Sequence, residues 1–341
     1  MKIQQALEQL IDRKDLPAAD MELIMRQVMT GEATPAQIGG FLIALRMKGE
    51  TVDEVAAAAK VMRSLASGVT LSDEDAIDIV GTGGDATSTF NVSTCSAIVA
   101  AAAGARVAKH GNRSVSSKSG AADLLEEAGV NIDLTPEQVA HCVDTVKLGF
   151  MFAPRHHSAM KHAIGPRREM GVRTVFNLLG PLTNPAGARS QLLGVYDRQW
   201  VRPVAEVLDK LGSRHVIVVH GHDGMDEISI SGPTQVAELR DGQVTEYVIE
   251  PSQFGIETSS LDSIKVSSAA ESFELVKQVL ANEPGAARDI VVLNAGAALC
   301  VAGVVESIAE GVTLADQTIA SGAAARKLAQ LIAVSQSFSP A

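Results

Sequence analysis

Between residues 76 and 293, short β-rich runs keep returning between helical stretches, and nothing else in the chain limits the fold as tightly. The runs fall at 77–80, 106–109, 150–153, 191–196, 215–219 and 290–293, with helices at 92–103, 121–128 and 200–211 between them. Thr135-Pro136-Glu137-Gln138 has the spacing of a capping box and opens another helix. Strand, helix and strand in repetition require a largely parallel sheet covered on both faces. Asp241-Gly242 marks a hairpin over 240–250, and 160–182 is helical again and packs back against the amino-terminal part. That part, residues 1 to about 70, carries no strand signal. Ile3, Leu7, Leu10 and Ile11 share one helical face, and Asp20 stands as the cap of a helix carrying Leu23, Ile24 and Val28. Thr34-Pro35 opens a third helix through Ile38, Phe41, Leu42 and Leu45, and 55–65 forms a fourth. The expected class is α/β: a small N-terminal helical domain plus a large α/β domain with a mostly parallel central sheet flanked by helices.

Composition narrows the partners. Hydrophobic residues make up 46% and charged residues 20%, enough for a packed core. Acids outnumber Lys and Arg by 40 to 29, and a formal charge of −11 makes a poor binder of nucleic acid or anionic membranes unless the bases are gathered locally. Cys95, Cys142 and Cys300 lack metal-ligand spacing and read as buried thiols of a reducing compartment. The start, Met-Lys-Ile-Gln-Gln, is too polar for a secretory segment, and the longest apolar run, 290–305, is interrupted by Asn294 and short of a membrane span. A cytoplasmic protein with no membrane or nucleic-acid partner is expected.

Four segments carry chemistry. Gly81-Thr82-Gly83-Gly84-Asp85 leaves the first strand and runs through Ser88-Thr89-Phe90-Asn91-Val92-Ser93-Thr94 to a helix start. Glycines let backbone N–H groups crowd an anion, and a helix N-terminus adds free donors; a tight turn with Ser/Thr caps has the same pattern. Residues 81–86 also fit G-x-G-x-x-A, but the next strand ends in Lys109-His110 rather than an acid, and Asp85 sits inside the loop, so the dinucleotide reading fails. The second segment, 109–120, holds Lys109, Arg113, Lys118 and His110 with four Ser and no acid, a donor-rich clamp for phosphate oxygens or a solvated basic loop. From Arg155 to Arg173 five bases face one acid. Helical spacing cannot aim them all at one ligand, and one or two of them meet a carboxylate. His156-His157 are adjacent, a poor spacing for a shared metal. Last, Asp226-Glu227 follow the strand at 215–219 and a Gly-rich turn, which suits Mg²⁺ or an ordinary acidic turn. All four lie where an open α/β sheet binds ligands, and together they imply a polyphosphate substrate.

GTGGD with TFNVST, KHGNRSVSSKSG, HHSAMKH with GPRREMGVRTVFNLLGPLTNP, and GMDEIS, in that order, resemble the motif set of the anthranilate phosphoribosyltransferases over nearly the whole chain. The resemblance implies displacement of diphosphate from C1 of 5-phosphoribosyl 1-diphosphate by the amine of anthranilate, a step of tryptophan biosynthesis. It also implies Mg²⁺ and a homodimer through the helical domain. Residues 1–70, with a returning segment of about 166–188, would form that domain, and 71–165 with 189–341 the α/β domain. Gly81, Gly84, Asp85, Thr89, Asn91, Val92, Ser93 and Thr94 resemble the phosphoribosyl-diphosphate cradle. Lys109, His110, Gly111, Asn112, Arg113, Ser114, Val115, Ser116 and Ser117 resemble its clamp, and Ala121 replaces the usual Ser after KSG. Ser93, Asp226 and Glu227 are similar to the Mg²⁺ ligands, and Gly81, Asn112, His157 and Arg167 to the anthranilate contacts. An aromatic amine is neutral at physiological pH, so no general base is expected. A pyrimidine nucleoside phosphorylase shares the fold and a related KHG clamp, but Asn112 and the Arg167 segment suit anthranilate. A non-catalytic nucleic-acid-binding relative would need a basic stripe that a charge of −11 opposes.

Overall fold

The computed structural model describes residues 1–85, 87–114 and 119–338. Four helices come first: α1 (Ile3–Ile11), α2 (Ala18–Thr30), α3 (Pro35–Lys48) and α4 (Val52–Leu65). Thr34 caps α3 and Thr51 caps α4, each in a reciprocal pair with the residue three positions on, Gln37 and Glu54. Glu54 is fully buried and also accepts the Leu16 N–H at 2.9 Å and the Lys48 ammonium at 2.8 Å, so one carboxylate ties three parts of the bundle. Asp20 is not a cap: α2 begins at Ala18 behind Pro17, and Asp20 lies in the first turn, where its charge still favours the helix dipole.

Strands β1 (Ile77–Gly81), β2 (Val107–Gly111) and β3 (Leu148–Phe152) alternate with α5 (Val92–Ala102), α6 (Ala121–Glu127) and α7 (Pro136–Val146). Thr135 and Gln138 form the expected box at the start of α7. Three short helices follow, α8 (Ala153–His156), α9 (Lys161–Met170) and α10 (Phe176–Leu179), then β4 (Ser190–Gly194), α11 (Val201–Lys210) and β5 (His215–Gly221). A hairpin of β6 (Thr234–Arg240) and β7 (Gln243–Ile249) turns through Asp241 and Gly242, both at positive φ as a two-residue turn needs. The chain ends in α12 (Ala269–Leu280), α13 (Ala286–Val301), α14 (Ile308–Ala320) and α15 (Ala323–Gln336).

The sheet order is β3-β2-β1-β4-β5-β6-β7, parallel through β5 and antiparallel at the hairpin. Successive side chains of a strand face opposite sides. Leu192, Ile217 and Val219 therefore join α5 and α13 in one core, while Leu193, Val216 and Val218 join α11 and the N-terminal helices in a second. Ala163, Phe176, Leu179 and Leu182 belong to the second core, so the segment after β3 does return to the helical part.

The run at 290–293 is not a strand but part of α13, whose residues from Ile290 to Val301 are all buried. A short apolar run has no period that separates a buried strand from a buried helix, and the Ala- and Gly-rich continuation lets this one lie among other helices. Gly296 and Gly311 set its closest crossing: a Cβ on Gly311 would stand 2.1 Å from the Gly296 carbonyl oxygen. Gly311→Ala is expected to force α13 and α14 apart and cost about 1–3 kcal/mol, the usual range for overpacking. A lowered urea midpoint at unchanged slope is the reading expected; an unchanged midpoint would mean that the crossing is loose.

Candidate active site

The sheet reverses its direction of growth between β1 and β4, the place where open α/β sheets bind ligands. Gly81 and Gly194 are paired there, at the carboxyl ends of the two strands. A Cβ on Gly194 would lie 1.4 Å from the Asp226 carbonyl oxygen, and one on Gly81 would run into the Asp226 carboxylate. The loop after β5 thus rests directly on the strand ends, in a seat only glycine provides. Asp226 Oδ2 accepts the Gly83 N–H at 2.7 Å, closing the glycine turn onto the acidic loop.

Asp85 completes a group that the sequence did not reveal. One oxygen each of Asp85, Asp226 and Glu227 lies within 4.8 Å of the others. Thr87 donates its hydroxyl to Asp85 at 2.6 Å and so orients it. Burial, and then repulsion by the neighbouring carboxylates, pushes Asp226 up to about 7 and Glu227 well above the ordinary range. Such a cluster favours a cation, and its oxygen donors fit a hard divalent ion. Ser93 borders the same small cleft as Asp226 and Glu227.

The cradle residues gather around it. Asn91 caps α5 by accepting the Thr94 N–H at 2.9 Å, and Val92 and Thr94 are buried in the first turn. Thr89 bridges to Lys265 and stands 3.4 Å from the Thr87 hydroxyl, and Gly84 holds a φ of +76°. Lys109 is buried, donating to Ser93 Oγ at 3.3 Å and to the Ile79 carbonyl. Burial lowers its pKa, while Asp78, Glu227 and Asp226 oppose that shift. Asp78 lies wholly inside the sheet, gripped by the His110 N–H at 3.1 Å and Asn184 Nδ2 at 2.7 Å, and burial pushes it up to about 6.

In the second loop, Asp123 of α6 accepts from the N–H groups of Ser114 and Gly120, each at 3.0 Å, and holds the two ends together. Val115, Ser116 and Ser117 lie outside the described residues. Arg113 is turned to α6, paired with Asp123 and Glu126 over the Phe152 ring. Asn112 is exposed and its side-chain oxygen accepts the Arg113 N–H at 2.7 Å. Ala121 is buried at the start of α6, packed near Gly111.

Lys109 and His110 are neighbours on β2 and face opposite sides of the sheet. His110 therefore leaves the Lys109 side and meets the His157 ring at a tilt of 60°, ring centroids 5.1 Å apart. The carbonyls of Gly180 and Thr183 face His110 and His157 respectively. Arg167, on α9, is half-buried over Phe176 with no acid paired to it among the described residues. Burial alone lowers its pKa, and a desolvated guanidinium is complementary to a carboxylate. Burial also lowers His110, His156 and His157, the last to about 4.

Residues 4–66 match the helical bundle domain of the glycosyl transferase family, and residues 73–325 match its a/b domain. The anthranilate phosphoribosyltransferase of Thioalkalivibrio sulfidiphilus is 61% identical over 99% of this chain and 100% of its own length. The crystal structure of the same enzyme from Thermus thermophilus superposes with a TM-score of 0.92 at 42% identity, covering 97% of this chain and 99% of that one. The Saccharomyces cerevisiae enzyme, solved in complex with PRPP and Mg, superposes with a TM-score of 0.89 at 29% identity over 98% of each chain.

The histidines set an acid limit. His157 is neutral in the folded chain down to about pH 4 but takes up a proton near 6.5 once unfolded, so its share of stability is present above 6.5 and lost as pH falls toward 4. That share is about 3 kcal/mol. The urea-derived stability of His157→Gln should fall less steeply over this window than that of the parent. Parallel curves would show that His157 is protonated without penalty.

Proposed function

The chain belongs to the anthranilate phosphoribosyltransferase family, and on that premise we propose how its residues divide the work. The reaction transfers the phosphoribosyl group of 5-phosphoribosyl 1-diphosphate to the amine of anthranilate, giving N-(5-phosphoribosyl)anthranilate and diphosphate. The observation that carries our assignment of roles is the convergence of Lys109, Ser93, Asp226 and Glu227 on the carboxyl ends of β1 and β4.

The end of the glycine turn at Gly84, beyond the Gly83 N–H that Asp226 takes up, and the first turn of α5 receive the donor's phosphates on backbone N–H groups. Lys109, whose ammonium form the acids around it favour against burial, neutralises charge on the departing diphosphate. Mg²⁺, when bound, supplies further positive charge against that leaving group, and Asp226 and Glu227 would hold it with Ser93 and Asp85 beside them. The C1–O bond breaks with its electron pair leaving on the diphosphate oxygen, the amine lone pair forms the C1–N bond, and the amine proton passes to solvent. No general base is required, and fixed charge with alignment does the rest.

Arg167 takes the anthranilate carboxylate, for which its desolvated guanidinium, without an acid partner among the described residues, is suited, with Asn112, His157 and Gly81 framing the ring. His110, in ring contact with His157, lies on this acceptor side. We assign residues 1–70 and 166–188 to the helical domain and the remainder to the α/β domain. Ile11 and Met47, 72% and 70% exposed on the helical part, favour a homodimer through that domain. No helix among the described residues is long and apolar enough to cross a membrane, and the three free thiols are buried, which suits the cytoplasm.

Arg167→Ala should raise KM for anthranilate about tenfold to a hundredfold, the worth of a charge-assisted hydrogen-bond pair, and change KM for the phosphoribosyl donor much less. Equal rises in both would remove Arg167 from the carboxylate. Asp226→Asn combined with Glu227→Gln should abolish Mg²⁺-dependent turnover while leaving the fold, read by circular dichroism, intact. An unchanged Mg²⁺ response would show that these carboxylates hold no ion.

A further inference from the structure

Asn294 interrupts the longest apolar run of the chain, and nothing in the roles above accounts for it. It sits midway along α13, 1% exposed, where an amide must be fully hydrogen-bonded to be tolerated. Its Oδ1 accepts the Ile228 N–H at 3.0 Å, and its Nδ2 donates to the Ile228 carbonyl at 2.8 Å and to the Ile290 carbonyl at 2.9 Å. The last bond stays within α13. The first two form a two-point pairing, in which one side-chain amide grips both backbone groups of a single residue and so fixes its orientation as well as its place.

The gripped residue directly follows Glu227. Asp226 is already held from the other side, against Gly81 and Gly194 and by the Gly83 N–H. Further back, Asp223 accepts from the Met225 N–H at 3.1 Å and from the hydroxyls of Ser229 and Ser231. Among the described residues no side-chain hydrogen bond holds the Glu227 carboxylate, so its direction depends on the backbone on either side. Asn294 also borders the cleft that Ser93, Asp226 and Glu227 line.

We infer that Asn294 is a positioning residue for the acidic pair: it anchors Ile228 so that the Glu227 and Asp226 carboxylates converge on one divalent cation. The inference rests on the reading of Asp226 and Glu227 as cation ligands. A residue that orients ligands from behind typically changes metal affinity about tenfold to a hundredfold when lost.

The test uses the full chain and Mn²⁺ as the probe, with free Mn²⁺ counted by electron paramagnetic resonance in the presence of inorganic diphosphate. Asn294→Leu keeps the branched four-atom shape of the side chain and suits an apolar helix but releases Ile228; Asn294→Ser is the second variant should the first not fold. Mn²⁺ affinity should fall at least tenfold, and the Mg²⁺ concentration for half-maximal turnover should rise in step, with KM for anthranilate unchanged. A purely structural role would lower the thermal midpoint and leave Mn²⁺ affinity where it was, which would overturn the inference. The Asp226→Asn, Glu227→Gln chain separates the two layers. If the parent binds no more Mn²⁺ than this variant, the cation reading fails and the inference falls with it. If the parent does bind more and the Asn294 variants match the parent, the inference alone fails.

Discussion

The site depends on one close approach: the Asp226 backbone laid across the ends of β1 and β4. That contact exists because Gly194 and Gly81 lack a Cβ, and a methyl at Gly194 would occupy the space of a carbonyl oxygen. From it follows the bond from the Gly83 N–H to Asp226, and with that bond the curl of the glycine turn that brings Asp85 to the acidic pair. The two paired glycines therefore do different work from those of the turn. They provide room, whereas Gly83 and Gly84 provide positive φ.

Electrostatics then sorts the two faces of the sheet. On one face, Lys109 is drawn toward Asp226 and Glu227, whose charges, with that of Asp78 from across the sheet, partly offset the burial of its ammonium. On the other, His110 and His157 meet ring to ring, both kept neutral by burial, and Arg167 has no acid beside it among the described residues. A chain of net charge −11 thus sets an ammonium among carboxylates where a diphosphate would leave. Where a carboxylate would arrive, it leaves a guanidinium uncompensated. The contrast rests on strand geometry, since adjacent residues of β2 must face opposite ways.

Local signals made much of the fold legible. The helix starts at Thr34 and Thr135 and the Asp241-Gly242 turn depend on atoms a few residues apart, so their patterns carry to the structure intact. Two local readings failed for reasons equally local. Asp20 has the chemistry of a cap, but Pro17 starts the helix earlier. The apolar run at 290–293 has no period to betray its state, and only its burial among helices makes it part of α13. The motif residues were legible as chemistry but not as geometry. Arg113 is a base in a basic loop, yet it pairs with Asp123 and Glu126 of α6.

By itself the sequence determined the alternation of strand and helix, the helix starts at Thr34 and Thr135, the hairpin and the kinds of side chain available to a polyphosphate, because each rests on short-range backbone preference or composition. Only the tertiary structure decided that Asp85 stands with Asp226 and Glu227, that His110 turns to His157, and that Asn294 reaches Ile228. These meetings join residues far apart in the chain, and they are set by strand order and by the packing of whole helices. Such long-range placement is a sum of many weak contacts, and no single stretch of residues encodes it.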